Sequence, residues 1–437
     1  MQIISMNAGT PVYLKANVKP KHALFKVMIH VLLVYLSCYG LISIYVDNII
    51  IRSLKDAGML FLAVFALSKV YRSQHEFIIP FIFLLGSVTA IGSMNLLLGG
   101  SIVSLIYGLK ITFLPIMMMF TGMLISRIKG IYLFARINLI ILLLLITGWL
   151  IQYSLGIQQL ISLGFVYGVN IKNYLEGVPR LSSITYSPDG YAYALLITGL
   201  IAEKTRLAER YRLFRLFIQI LTISFLLFST IRSALVLWLV YQIVMFFLHV
   251  RKYNKKNMLL LAGVFLLLPA VAVFVTRMLD SYNLLSVSSL LDRFQSWGVN
   301  LTSPFTMAGV IGSGLGSVGA ASRRTHIIGL QSNNFAVDNQ YFSFYEQTGW
   351  LGLLYWFALF MWIMICLVKQ MNRLPATKVM GLPQMAIALG IGVAAASLTT
   401  NVLEMFPGNI SIWIVIGMAL YQHPETEVIP YEAGELK

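Results

Sequence analysis

Gly312-Ser313-Gly314-Leu315-Gly316, Arg323-Arg324 and Asp338-Asn339-Gln340-Tyr341 punctuate one polar stretch, Arg277 to Gln347, in a chain that is otherwise apolar. Arg293 and Trp297 lie in the same stretch. Irregular backbone cannot sit in lipid, because its N–H and C=O groups would go unsatisfied there. A long polar stretch among greasy runs therefore belongs at one face of a bilayer, with helices crossing the membrane around it. The chemistry is expected at that face.

Composition agrees. Of 437 residues, 58% are hydrophobic and 11% charged, with mean hydropathy +0.81. A soluble domain carries roughly 25% charged residues. The fold class expected is all-α, a polytopic membrane protein. Cys38 and Cys366 both fall in apolar runs and read as small core residues rather than a disulfide. A net charge of +16 would suggest nucleic acid in a soluble protein. Here it reads as basic loops facing the cytoplasm, and no nucleic-acid partner is expected. Lys15, Lys19, Lys21 and Lys26 precede an apolar run close to spanning length, which reads as an uncleaved first helix.

Twelve runs read as spans: 27–46, 55–70, 77–98, 102–125, 137–155, 184–202, 216–230, 233–250, 257–276, 348–368, 382–400 and 406–421. The second is short and follows Arg52, Lys55 and Asp56; the sixth begins in polar sequence; the twelfth is short. Charge parity tests them. With both termini cytoplasmic, 22 of the 32 Lys and Arg fall inside and nine outside, with Lys110 inside a span. That split fits the positive-inside rule. Deleting the second span would put the lysine-rich N-terminus outside, against the rule. Two outer loops remain, 156–183 and the larger 277–347, which carries most site candidates. The acids lean outward, nine of sixteen. Zinc-type Cys/His spacing, a Walker A motif and a Ser-His-Asp context are all missing from the sequence.

Arginines on the outer side run against the charge rule, so each invites a reason. Arg180 lies in Val178-Pro179-Arg180-Leu181-Ser182-Ser183, ahead of Ser187-Pro188-Asp189-Gly190 and the sixth span. Arg232 lies in Ser229-Thr230-Ile231-Arg232-Ser233-Ala234, a tight hairpin between two spans; Arg293 lies in Asp292-Arg293-Phe294-Gln295-Ser296-Trp297. A snorkelling arginine, or an ion pair with Asp189 or Asp292, accounts for any one of them. Three together, at helix mouths and beside Ser or Thr, point to phosphate, which guanidinium binds bidentately. The ligand implied is a lipid phosphate or diphosphate at the outer leaflet.

In this order and spacing the patches resemble the bacterial O-antigen polymerase and O-antigen ligase family, the Wzy–WaaL type of membrane glycosyltransferase. The resemblance rests on Arg180 with Ser187-Pro188-Asp189-Gly190-Tyr191-Ala192; on Ser229-Thr230-Ile231-Arg232-Ser233-Ala234; on Arg293-Phe294-Gln295-Ser296-Trp297, Ser303-Pro304 and Gly314-Leu315-Gly316; and on Asp338-Asn339-Gln340-Tyr341 with Glu346-Gln347-Thr348-Gly349-Trp350-Leu351-Gly352. It covers about 180–352. It implies a fold similar to the GT-C-like, lipid-sugar-dependent membrane transferases. It implies glycan transfer from an undecaprenyl-diphosphate carrier at the outer face of the bacterial inner membrane, with no cofactor and no metal. The partners implied are that lipid-linked glycan, the bilayer, a chain-length regulator and a flippase.

The reaction such a family performs breaks a glycosyl–diphosphate bond, and negative charge grows on the leaving group. Arg180 and Arg232, then Arg293, are the expected diphosphate contacts. Arg323 and Arg324 are expected to touch glycan or headgroup, or to be solvated loop charges. Asn339 and Tyr341 are carried over as substrate contacts. The acceptor hydroxyl needs a base. Many ligase-type members carry histidine where this chain has Asp338, so Asp338 is the first candidate, Glu346 the second and His326 the third. Asp338-Asn339 also reads as a helix N-cap and Glu346 as a first-turn acid. Residues 312–316 read either as an anion cradle of backbone amides or as a turn. Gly349 and Gly352 read as sites of close helix packing. Lys110, inside a span, is a functional candidate because its burial is costly, or else it snorkels. The departure at Asp338 favours a polymerase. A ligase acting on lipid A core, and a flippase or other transporter, are the alternatives.

Overall fold

The computed structural model describes residues 23–46, 48–98, 100–174, 178–250, 305–320, 322, 338–373 and 381–421. The expected ninth span, 257–276, lies outside the described residues, as do Arg293, Arg323, Arg324 and His326.

The described chain is a bundle of helices. In order they are α1 (Ala23–Ser37), α2 (Tyr39–Tyr45), α3 (Ile49–Ser93), α4 (Ile102–Gly108), α5 (Leu114–Arg127) and α6 (Ile131–Ser162). A β-hairpin follows, β1 (Ile171–Tyr174) and β2 (Val178–Leu181), and then α7 (Pro188–Ala202), α8 (Arg206–Arg210), α9 (Arg212–Phe228) and α10 (Arg232–Val250). The short α11 (Met307–Ile311), the long α12 (Gln340–Arg373), α13 (Leu382–Ala396) and α14 (Gly408–Leu420) complete it. Among the described residues four helical runs are long and apolar enough to cross a membrane, or five if α1 and α2, bent by 62°, count as one span.

The second and third expected spans are one helical run, α3, interrupted only at Gln74 (φ −133, ψ 21). Its contacts show that it doubles back there. On the first leg Asp56 pairs with Lys110 and the Lys69 carbonyl accepts from Arg127. On the second leg Phe81 stacks edge-on against Phe120, and Gly92, like Gly108, abuts the loop at Leu315-Gly316. The two legs therefore run along α5 in opposite directions. A turn this tight, with no break in helical pairing, is invisible in hydropathy.

The core is built on short buried helices. α7 and α14 are buried along nearly their whole length, with Tyr191 and Tyr193 fully covered. α14 crosses α5 at two glycines. A Cβ on Gly122 would come within 2.0 Å of the Ile414 carbonyl oxygen, and one on Gly417 within 1.8 Å of the Met119 oxygen. Small residues let helix backbones approach this closely, which is how helices pack where lipid removes the hydrophobic drive.

Local sequence sets the helix ends. Ser187 accepts from the Gly190 amide with Pro188 in the first turn of α7, and Asn48 accepts from Ile50 and Ile51 at the start of α3. Gly156 (φ 74) and Gly349 (φ 62) break α6 and α12 where only glycine adopts that backbone without strain. The described chain is all-α apart from one short hairpin, β1–β2, in which Lys172 faces Arg180 across the antiparallel register. The last residues of the stretch read as the larger outer loop are helical from Gln340 on, and the break at Gly349 falls where the tenth span was expected to begin. Gln340, Ser343 and Gln347 looked like loop residues because they are polar, but each makes a hydrogen bond inside the bundle.

Candidate functional site

The irregular segments cluster at one end of the bundle. Leu41 and Gly40 pack on the backbone at Ile184-Thr185, Gly190 packs on the Phe406 carbonyl, and Ala320 meets Glu404. The opposite end carries the Lys69–Arg127 contact and the bond from Gln370 to the Tyr421 carbonyl.

Arg180 and the Arg232 turn are brought together. Arg180 stands on β2, and its Nε donates to Thr230 Oγ1 at 2.8 Å and its Nη2 to the Thr230 carbonyl at 3.0 Å. Thr230 holds a left-handed backbone (φ 56), two residues before Arg232 opens α10. Both arginines are half-buried. This docking fixes the Arg180 guanidinium against the turn that precedes Arg232. The strand is itself braced: Ser183, also left-handed (φ 53), donates from its amide to Gln152 Oε1 at 2.7 Å, while Gln152 Nε2 donates to the Ser183 carbonyl at 2.6 Å. Left-handed non-glycine residues cost about 1–3 kcal/mol each and persist where surrounding bonds hold them. Beside this strand a pocket of about 290 Å³ opens, lined by Gln152, Tyr153, Gln158, Asn173, Pro179 and Leu181 among others.

The glycine run is a pinned turn, not an anion cradle. The Ser313 and Gly314 amides donate to the Glu346 and Gln347 carbonyls, the Leu315 amide to the Gly92 carbonyl, and the Gly316 amide to Gln347 Oε1 at 2.8 Å. Their donors are spent on protein. Gly312, Gly314 and Gly316 all take positive φ, which the turn requires. Gly349 makes the close approach expected of it, since a Cβ there would lie 2.2 Å from the Val310 carbonyl oxygen.

The remaining candidates divide. Asn339 is the cap of α12: its Oδ1 accepts from Tyr341 and Phe342, and its Nδ2 donates to the Leu398 carbonyl at 3.0 Å. The Tyr341 hydroxyl donates to the Ala394 carbonyl at 2.8 Å, so both side chains tie α12 to the α13 end. Asp338 is half-buried at the mouth of α12. Glu346 is buried within α12, and its carbonyl accepts from the Ser313 amide and hydroxyl.

Two features went unread in the sequence. Glu404, buried, accepts from the Ala320 amide at 2.8 Å and from the Ser343 hydroxyl at 3.4 Å. The signal was there: one acid flanked by Asn401 and Asn409 in an apolar C-terminal third. Asp56 pairs with Lys55 and Lys110, each at 2.6 Å, and Lys55 lies over the rings of Tyr39 and Phe406 at 4.9 and 5.1 Å. A second cavity, about 240 Å³ and mainly apolar, lies between α12, α13 and α14 and is lined by Phe344, Trp356, Phe357 and Trp413 among others. Among the described residues no three His, Cys, Asp or Glu side chains converge.

No family model matches the chain, and no curated protein matches it.

Proposed function

We propose that this protein is a membrane glycosyltransferase that polymerises undecaprenyl-diphosphate-linked oligosaccharide repeat units into a surface polysaccharide. In this reading it crosses the bacterial inner membrane twelve times in a GT-C-like arrangement, with both termini in the cytoplasm and the arginine end of the bundle outside. The observation that carries the reading is the docking of Arg180 on Thr230, which sets two arginines from separate patches at one mouth.

The acceptor hydroxyl attacks the sugar carbon that bears the diphosphate. The carbon–oxygen bond to the diphosphate breaks, and its electron pair leaves on the phosphate oxygen. Arg180 and Arg232 stabilise the charge that grows there, joined by Arg293. The hydroxyl proton passes to Asp338, which stands at the mouth of α12, with Glu346 and His326 as the further candidates. The pocket beside β2 has the amides and the exposed Tyr153 ring that suit a sugar. Arg323 and Arg324 serve the glycan or its headgroup, and Asn339 and Tyr341 act by placing α12.

The test gives purified protein its cognate lipid-linked repeat units, with no lipid A core present. A ladder of multiples is expected. Arg232→Ala should slow it about 10²–10³-fold, the usual effect of losing one preorganised donor to a developing anion. Wild-type turnover in both Arg180→Ala and Arg232→Ala, at normal folded yield, would remove the diphosphate clamp. Transfer only after lipid A core is added would make the protein a ligase.

A further inference from the structure

The geometry points to a second anion site, built on Lys110 and separate from the arginine pair. Lys110 lies in a single π-helical stretch, Leu109–Phe113, that joins α4 to α5. Such insertions re-aim side chains and recur at functional positions. The lysine lies about two turns, or roughly 12 Å, below the start of α4 at Ile102, counting 1.5 Å per residue. Ile102 and Ile106 on that helix are exposed apolar residues. A charge at this depth is costly, and it is retained where it has work to do.

The surroundings favour phosphate. Asp56 is shared: Lys55 reaches Oδ1 and Lys110 reaches Oδ2, both at 2.6 Å. Lys55 approaches from the inside, with a side chain only 6% exposed. Lys110 approaches from the open side, 27% exposed. The three side chains sum to one positive charge. Among the described residues Lys110 faces the Asp56 carboxylate at 2.6 Å and the Tyr107 ring at 5.6 Å, and an ammonium carries three donors. An ammonium held beside a carboxylate on the open side of the bundle, with three donors to offer, is suited to a phosphate group. The phosphate can belong to a lipid headgroup or be free in solution. An anion site here stands or falls by binding alone, whether or not the protein transfers glycosyl groups.

The test uses the full chain and compares wild type, Lys110→Gln and Asp56→Asn. One arm measures binding of phosphatidate in phosphatidylcholine nanodiscs; the other titrates inorganic phosphate in neutral detergent. Lys110→Gln should weaken binding about tenfold, near the low end for a hydrogen bond to a charged group. Asp56→Asn should strengthen it, because the competing carboxylate is gone while both ammonium groups stay. Opposite shifts with phosphatidate alone would assign the site to a lipid headgroup, and the same pattern with inorganic phosphate would assign it to free phosphate. Equal affinity in all three proteins would overturn the proposal. So would equal weakening in both variants, which is what a purely structural ion pair predicts. If Lys110→Gln does not fold, Lys110→Arg should keep the affinity within a few-fold of wild type, and a tenfold loss there would overturn the proposal too.

Discussion

The crossing of α5 and α14 and the polar end around residues 401–408 are held by opposite means. At the crossing, glycine brings backbone against backbone, Gly122 on Ile414 and Gly417 on Met119. At the polar end, side chains from distant segments satisfy loop amides: Glu404 takes Ala320, Gln347 takes Gly316, Gln340 takes Leu403. The reason is the solvent. Helices gain nothing by leaving lipid for one another, so shape must supply the attraction. Irregular backbone has the reverse problem, since each buried N–H must find an acceptor. Failure should differ accordingly. Steric contact fails all at once, whereas a hydrogen-bonded network fails bond by bond, at roughly 0.5–1.5 kcal/mol for each.

The largest effect is expected at the crossing. Gly417→Leu puts a side chain where even a Cβ is 1.8 Å from a carbonyl oxygen, which something must shift to admit. The cost should reach about 3 kcal/mol or more, the upper range for overpacking. Size-exclusion profiles in detergent should show aggregated or depleted protein. Gly86→Leu is the control: nothing lies within 4 Å of a Cβ there, and the site is exposed on α3. It should fold as wild type does. Equal behaviour of the two variants would break the comparison, because it would mean the crossing is not set by shape. Glu404→Ala comes next. It strands the Ala320 amide and the Ser343 hydroxyl, so a loss of about 1–3 kcal/mol is expected, read as a lower thermal midpoint with folded protein still recovered.

The same division explains what could be read beforehand. Apolar runs are visible to hydropathy, so the helices at 131–162 and 340–373 are legible in outline as the expected spans 137–155 and 348–368. The helix start at Ser187-Pro188 follows from capping chemistry alone. The reversal at Gln74 was not legible as a shape, because a single non-helical residue has no composition. The β-hairpin was hidden because two four-residue strands have too few positions to show a period. At the site, Arg180 and Arg232 were found as residue types, but their meeting through Thr230 joins segments 50 positions apart. Glu404 carries no motif of its own in the sequence, since its partners Ala320 and Ser343 are likewise remote from it. The glycine run reads in sequence as either a turn or an anion cradle, and its amide bonds to Glu346, Gln347 and Gly92 decide for the turn.

The smallest effect sharpens the comparison most, because it asks whether a residue at the polar end holds structure or substrate. Asn339 does two things: its Oδ1 caps α12, and its Nδ2 reaches the Leu398 carbonyl. Asn339→Ala removes both and should cost about 1 kcal/mol, the usual loss for a cap. Asn339→Asp keeps the cap, and its charge is favoured at a helix start, but it cannot donate to Leu398. If the cap carries the stability, the aspartate variant should unfold near the wild-type temperature and the alanine variant below it. If the bond to Leu398 carries it, both should fall together. Either result leaves Asn339 structural, with turnover per folded molecule unchanged. A large loss of turnover at wild-type stability would instead place its side chain on the substrate, and α12 would then begin inside the site rather than beside it.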